Sequence, residues 1–381
     1  MQSVGSVPDP RSFPLRGGDA LATYPSWQAW AEVSMSAATR AEREVAHTLL
    51  RAALVEALRA RKIDAMESTL NSAQSAAHYR HLWRALGAAW RDCIAVANTQ
   101  VVAQEFAMAV VIVAAADIAV EVAGILSNVA QLAELLKLHG GLAGNRSFGL
   151  ANVLAGVDAL SLRAILCRGT WSGDFEIPTG HRDVIPSPIA VTPGQQGAHL
   201  RFLIGSALAS PHSALFEEQT VGTWGMPVAQ WLSRELSTGG VQLLALPRPP
   251  SDPFSALRQG RLAHREVALQ LFASTAIRKL RADFGEPDAV ISGHRIDSGG
   301  ELRLSLSSPF GERDAEGFRC PLYPDDRLED VLTMIVDLLR ACRVVNIRVL
   351  PQVHPDRDSQ TGLPLFFRAD TIGDAEAVSS H

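Results

Sequence analysis

The fold is decided by a stretch near the C-terminus that reads E-P-D-A-V-I-S-G (Glu286 to Gly293), L-R-L-S-L-S-S (Leu302 to Ser308) and G-F-R-C-P-L-Y (Gly317 to Tyr323). Each run is short, has strand character and lies close to turn-forming residues. A helix follows, and the stretch ends in V-N-I-R-V-L-P (Val345 to Pro351). The region is therefore predicted to fold as a β-β-β-α-β unit.

The helix of this unit has a clear start and a clear apolar face. Asp326 with Glu329 resembles a capping box. Apolar residues then recur at helical spacing at Leu328, Val331, Leu332, Ile335, Leu338 and Leu339. This spacing predicts an amphipathic helix that packs one face on the sheet.

An earlier stretch repeats the same order of runs. They are S-P-I-A-V-T-P-G (Ser187 to Gly194), L-R-F-L-I-G-S (Leu200 to Ser206), A-L-F-E-E-Q-T-V (Ala214 to Val221) and V-Q-L-L-A-L-P (Val241 to Pro247). A helix near Pro227 precedes the last run. Because several pairs keep the same order and nearly constant spacing, we predict a tandem duplication of the unit.

A helix is predicted before each copy, around Leu150 to Leu166 and Ala263 to Ala282. Further upstream, the chain from about Ala37 to Lys62 repeats leucine at helical spacing, at Leu50, Leu54 and Leu58. The fold class is therefore α+β, with a helical N-terminal region before the duplicated units. The predicted segments are a flexible leader (1–20), a mainly helical domain (21–146), copy 1 (147–256), copy 2 (257–368) and a flexible tail (369–381).

The most apolar part of the chain runs from Val101 to Leu138. Its uncharged core, Phe106 to Ala116, is shorter than the roughly 20 apolar residues that span a bilayer, and Asp117 and Glu121 follow it. A buried core helix or core strand is the preferred interpretation. A membrane segment is the less favoured alternative.

Parts of the C-terminal half resemble a family of uncharacterised betaproteobacterial proteins. The resemblance covers residues 187–330 and rests on short motifs such as H-L-R-F-L-I-G-S-A (His199 to Ala207), D-A-V-I-S-G-H (Asp288 to His294) and C-P-L-Y-P-D-D (Cys320 to Asp326). This sequence has Cys320 where that family usually has tryptophan. The resemblance implies neither an activity nor a ligand.

Composition and charge exclude some functional classes. The 381 residues carry a formal net charge of -5, which argues against nucleic-acid binding, because neutralising phosphates needs a concentrated basic surface. The four cysteines are far apart and form no zinc motif. The N-terminus lacks the apolar region of a secretory signal, so a cytoplasmic location is expected. Arginine greatly outnumbers lysine, as in proteins from GC-rich bacterial genomes.

Common catalytic and cofactor motifs are missing, among them the phosphate-binding loop, the dinucleotide fingerprint, H-E-x-x-H and G-x-S-x-G, so no cofactor or metal is predicted. Three clusters join histidine to acidic residues: His181 with Asp183, His294 with Asp297, and His354 with Asp356 and Asp358. A histidine beside a carboxylate can act as a general base or a metal ligand. All three lie in predicted turns or strand ends, where such residues are also common for solvation alone.

The catalytic candidates are therefore His294, Asp297, His181 and Asp183. Arg201 and Arg303 occupy equivalent positions in the two predicted copies and form a candidate anion site, although arginines on exposed strand faces need no such role. The leading hypothesis is a non-catalytic subunit that binds another protein or itself, with its histidines apart on the surface. The alternatives are an enzyme with its site between the two copies and a membrane-associated assembly component.

Overall fold

The computed structural model describes residues 27–95, 102–139, 148–168, 184–194, 196–209, 221–237, 240–296, 299–308, 315–359 and 361–369. Both helices and strands are present there, which confirms the α+β class. The chain divides into two compact units, Met1–Ala89 and Trp90–His381. The predicted leader, and all of the predicted tail except Ala369, lie outside the described residues.

The first unit is helical where it is described. Its helices are α1 (Trp27–Ser36), α2 (Arg40–Arg59), α3 (Ile63–Asn71) and most of α4 (Ala76–Ala95). Helix α2 begins with a capping box, in which the Thr39 side chain accepts from the Glu42 amide and Glu42 accepts from the Thr39 amide. Leu50, Leu54 and Leu58 are buried, so the helical prediction from Ala37 to Lys62 is confirmed in its main part.

The second unit contains the strands of the molecule's described part. They are β1 (Val102–Ala116), β2 (Val120–Val122), β3 (Phe148–Ala155), β4 (Ile189–Val191), β5 (Gly197–Ala209), β6 (Val241–Pro247), β7 (Asp288–Ile296), β8 (Gly299–Ser307), β9 (Ala315–Leu322) and β10 (Ile347–Pro355). Its complete helices are α5 (Val129–Leu138), α6 (Leu162–Arg168), α7 (Val221–Leu236), α8 (Pro253–Phe284) and α9 (Leu328–Ala341).

One four-stranded sheet, called the apolar sheet below, has the order β3-β5-β1-β6 and is antiparallel throughout. Helices α5 and α7 cover one face of β1 through Trp224, Trp231 and Leu132. Helix α8 covers the other face, where Gly260 lies against Ala109. A strand buried on both faces needs a continuous apolar sequence. Phe106 to Ala116 is therefore a core strand, and the helical alternative is wrong.

No helix among the described residues combines the length and apolar character needed to cross a bilayer.

The other four-stranded sheet, called the polar sheet below, has the order β10-β7-β8-β9. Strand β10 is parallel to β7, and the other neighbours are antiparallel. Helix α9 and the second half of α8 pack on one face, burying Leu304, Ile335 and Ile277. The β-β-β-α-β order predicted for this region is observed.

The first predicted copy has a different topology, so the duplication is not confirmed. Strand β4 pairs with β2 in a separate two-stranded sheet, and β6 pairs with β1. Because β5 and β6 are both antiparallel to β1, they run parallel to each other, whereas β8 and β10 run antiparallel. The reason is that β1, an apolar strand from outside the predicted copy, takes the place between β5 and β6.

The helices predicted before the two copies, and one predicted strand, have different outcomes. The helix predicted around Leu150 to Leu166 is wrong over residues 150–155, which belong to β3, and only Leu162–Arg168 form α6. The helix predicted around Ala263 to Ala282 is confirmed within α8. Of the strand predicted at Ala214 to Val221, residues 214–220 lie outside the described part, and Val221 begins α7.

Candidate functional site

Polar side chains are concentrated on one face of the polar sheet. Residues alternate along β7 and β8, so that Ile291, Leu302 and Leu304 point to the helices. The opposite face carries Ser292, His294, Glu301, Arg303 and Ser305, each at most 3% exposed. We call these five residues the polar face. Buried polar groups at this density are unusual and call for partners.

The chain that follows β10 covers the polar face. Residues 356–369, called the covering segment below, place Phe366 5.5 Å from the Arg303 guanidinium and Phe367 4.4 Å from the His354 ring. Arg348 of β10 donates to the Ala369 carbonyl at 3.1 Å. The covering segment therefore combines aromatic contacts with hydrogen bonds to the sheet.

His294 lies at the centre of one half of the polar face. The parallel register places His354 directly opposite it, with ring centroids 5.7 Å apart. His294 Nδ1 is 2.8 Å from the Pro355 carbonyl oxygen, which can only accept, so Nδ1 carries the proton. Nε2 then accepts from the Ser292 hydroxyl at 2.8 Å.

Burial lowers the pKa of His294, and Arg303 and His354 shift that pKa in the same direction. The Pro355 carbonyl and Glu301 oppose the shift without reversing it. The imidazole of His294 is therefore neutral at pH 7, which leaves Nε2 able to accept the hydrogen bond from Ser292.

Arg303 organises the other half of the polar face. Its Nε donates to Glu301 at 2.5 Å, and one terminal nitrogen donates to the backbone carbonyls of Asp356 and Leu365 at 2.5 and 2.9 Å. The other terminal nitrogen bonds the Asp356 carboxylate. This last hydrogen bond lowers the pKa of Asp356. Arg303 thus donates hydrogen bonds both to Glu301 of β8 and to the covering segment.

Arg319 completes the ion network from β9. Its Nε lies 3.0 and 3.1 Å from the two carboxylate oxygens of Glu301, and this hydrogen bonding raises the pKa of Arg319. Glu301 is therefore shared between a fully buried arginine and a half-exposed one.

The arrangement of Ser292, His294 and the Pro355 carbonyl has the order of nucleophile, base and orienting group. A neutral imidazole within hydrogen-bond distance of a hydroxyl can accept its proton during attack on an acyl group. Ser292 is 1% exposed, however, so a substrate reaches it only if the covering segment moves.

The structure brings together His294 and His354 from two of the three predicted clusters. The expectation that these residues lie apart on the surface is wrong, because β10 adds parallel to β7, and Phe367 packs against the buried His294 ring and the half-buried His354 ring. Asp297, His181 and Asp183 lie outside the described residues. Asp358 caps a local turn by accepting from Thr361 instead of joining the polar face.

Arg201 and Arg303 do not form a joint anion site. Arg201 donates to the carbonyls of Ser187, Pro188 and Leu200, whereas Arg303 lies in the ion network. Arg303 has no exposed surface, so its predicted exposed position is wrong.

Sequence reasoning missed Ser292, Glu301 and Phe367. For Glu301 the signal was the alternation of β8, G-G-E-L-R-L-S-L-S, which places polar residues on a single face, and for Ser292 it was the position two residues before His294 on β7. For Phe367 no comparable pattern exists. Among the described residues, no group of three or more His, Cys, Asp or Glu side chains is placed to hold a metal ion.

Two open clefts lie away from the polar face. A cleft of about 810 Å³ is lined by α1, α2 and α3 of the helical unit, including Trp27, Ala57 and Ser68. A cleft of about 690 Å³ follows α8 in the second unit, with Glu316 and Phe318 of β9 along it. Both volumes lie in the range of ligand-binding sites.

Comparison of the chain with protein-family models, with curated proteins and with solved structures gave no match.

Proposed function

We propose that this chain is a bacterial cytoplasmic protein that binds a protein partner or a second copy of itself, and that the polar face is structural. The observation that carries the proposal is the closure of the polar face. Ser292, His294, Glu301 and Arg303 are buried, and their hydrogen bonds go to one another, to β10 and the covering segment, or to Arg319 of β9. Two open clefts lie elsewhere, and clefts suit binding.

Crosslinking in living cells tests the association. The full chain, tagged and expressed in its native host, is treated with formaldehyde and analysed for discrete complexes heavier than the 40.9 kDa monomer. Since the polar face is structural under this proposal, the variant Ser292→Ala should form the same complexes. Monomer alone in the crosslinked cells, together with monomeric sedimentation at high concentration, contradicts the proposal.

A second candidate function, acyl transfer, is favoured by the 2.8 Å contact between Ser292 Oγ and His294 Nε2. In that reaction the Ser292 oxygen attacks the acyl carbon and His294 takes the hydroxyl proton, which passes to the leaving group as its bond to the acyl carbon breaks. Water or another nucleophile, deprotonated by His294, then takes the acyl group, and the proton returns to the Ser292 oxygen. The Pro355 carbonyl would hold the imidazole in the required tautomer. This candidate is second because both reacting groups are closed off.

A fluorophosphonate probe separates the two candidates. Its phosphorus is attacked by an activated serine oxygen, fluoride leaves, and the label stays on the protein. The proposed binding function predicts no labelling of the full chain. Labelling that is lost in both Ser292→Ala and His294→Asn would instead establish the acyl-transfer site.

A further inference from the structure

The outer edge of β9 is open for strand addition. In the polar sheet β9 lies at one end and pairs with β8 alone among the described strands. Pro321 of β9 has no N–H to donate to β8, and its carbonyl accepts from the Arg265 side chain of α8. Pro321 therefore sits at an outward-facing position of the ladder. By alternation, the N–H and C=O groups of Ala315, Gly317 and Arg319 also face outward.

The other edges of the two four-stranded sheets carry features that hinder strand addition. Strand β3 exchanges backbone hydrogen bonds with residues 124–126, and the amide of Ala245 in β6 donates to the Ser233 hydroxyl of α7. Strand β10 carries a bulge between Val349 and Val353 together with two prolines. Prolines, bulges and covering segments are the usual means of blocking strand addition. Residues 315–320 of β9 contain no proline or bulge, and no segment in the described part of the chain pairs with their outer edge.

A cleft of matching length runs beside this edge. Its floor on α8 extends from Ala268 to Arg278, about 15 Å at 1.5 Å per residue, which equals four to five residues of extended chain. The opposite wall is the turn into β5, with Gly194 and Ala198. The cleft therefore has a helical floor, a second wall and, on the side of β9, the Glu316 and Phe318 side chains, which alternate along the strand with the outward-facing residues 315, 317 and 319.

The side chains of the cleft define the chemistry of the occupant. Phe272 of α8 stacks on Phe318 of β9 at 5.2 Å, and Leu271 lies beside them, so the middle of the cleft is apolar. Toward the Ala315 end, Lys279 pairs with Glu316 at 2.6 Å. Arg278, next to this pair, is exposed and forms no ion pair with any described residue. Among the described residues, that end of the cleft thus has an excess positive charge.

We propose that this cleft binds an extended strand of a partner protein, which adds to the edge of β9. The strand carries apolar side chains at alternate positions toward Leu271 and Phe272, and an acidic side chain toward Arg278. Backbone hydrogen bonds to β9 give affinity, and the helical floor selects the side chains. This inference rests on the proposed binding function and names its partner class.

Selection from a random twelve-residue peptide library displayed on phage, with the full chain as bait, tests the proposal. We expect enriched peptides with alternating apolar residues and an acidic residue. The variant Thr275→Trp fills the cleft from an exposed position of α8 and should weaken their binding at least about tenfold. Gln270→Trp, on an exposed position outside the cleft, is the matched control and should leave binding unchanged.

Two measurements do not depend on that variant. N-methylation of alternate peptide amides should weaken binding about tenfold, since it removes the hydrogen bonds to β9. Arg278→Glu should weaken the binding of peptides that carry the acidic residue. Replacing that residue of the peptide by lysine should restore binding to the variant. No enrichment, or peptides indifferent to Thr275→Trp and to N-methylation, overturns strand addition. Such a result would leave the complexes crosslinked in cells unaffected. The broader binding function is contradicted only if those complexes are absent.

Discussion

The apolar sheet and the polar sheet have the same number of strands but differ in their second faces. The apolar sheet is covered by helices on both faces, and its strand β1 is apolar from Phe106 to Ala116. The polar sheet has helices on one face and the covering segment on the other, held by Arg303, His294 and two phenylalanines. Helix packing needs only apolar contacts, whereas an irregular segment exposes backbone groups that must find partners. This difference explains why buried charges occur in the polar sheet.

The largest expected effect comes from Arg303→Met. The substitution leaves Glu301 buried with Arg319 as its only described cation, and the carbonyls of Asp356 and Leu365 lose their donor. We expect the free energy of unfolding to fall by about 3–5 kcal/mol, measured by urea denaturation. The double variant Glu301→Leu with Arg303→Met should recover at least half of this loss, because no unpaired carboxylate remains on β8. A loss below 1 kcal/mol for the single variant would show that the network does not hold the polar sheet.

Alanine substitutions at two glycines should show whether the apolar sheet or the covering segment of the polar sheet yields more easily to an added methyl group. A Cβ at Gly205 would lie 2.4 Å from Phe106 and 2.9 Å from the Gly149 carbonyl oxygen, which is backbone of the apolar sheet. At Gly317 it would lie 2.7 Å from Phe366, which belongs to the covering segment. Gly205→Ala should therefore cost about 1–3 kcal/mol by overpacking. Gly317→Ala should cost less, because the covering segment can move.

Hydrogen exchange distinguishes the two glycine outcomes. In Gly317→Ala, amides of residues 361–369 should exchange faster while those of β1 remain protected. In Gly205→Ala, β1 and β5 should lose protection instead. Equal destabilisation without faster exchange in the covering segment would mean that this segment is packed as rigidly as the apolar core.

Much of the fold was predictable because its signals are local. The apolar run of β1 predicts a strand that is buried on both faces, and the alternation of β8 predicts a strand with one polar face. The pairing of β6 with β1 was not predictable, since it joins residues more than a hundred positions apart and depends on packing. The similar runs in the two predicted copies indicate strands in both places, but they do not determine which strand pairs with which.

The site was predictable in part. His294 was identified by its acidic neighbours, yet Asp297 lies outside the described residues and the observed partners are Ser292 and the Pro355 carbonyl. These partners meet His294 through the alternation of β7 and the parallel addition of β10. The second of these is a tertiary contact that no spacing in the sequence encodes.

The pH dependence of stability should differ between the wild type and His294→Asn. The pKa of His294 is lowered in the folded protein, mainly by burial, so the unfolded chain binds a proton before the folded chain does as the pH falls. The contribution of His294 is therefore complete above its ordinary pKa near 6.5 and is lost as the pH falls toward the lowered value. Measured by urea denaturation from pH 7.5 to 5.0, the wild type should lose more stability than the variant. His199 and His264, whose pKa values burial also lowers, leave the variant a residual slope.

The smallest expected effect is that of Lys279→Met, which removes the ion pair with Glu316. The charged atoms are 2.6 Å apart, nearly the 2.5 Å separating Arg303 from Glu301, so distance alone would give the two pairs equal weight. The side chains of Lys279 and Glu316 are 56% and 36% exposed, however, and water and salt screen their attraction. We expect a loss of about 0.5 kcal/mol or less in the free energy of unfolding. When its cation is removed, Glu301 stays in the interior, where water cannot solvate it, whereas Glu316 stays in contact with water. A loss comparable to that of Arg303→Met would therefore contradict the idea that burial sets the strength of these two ion pairs.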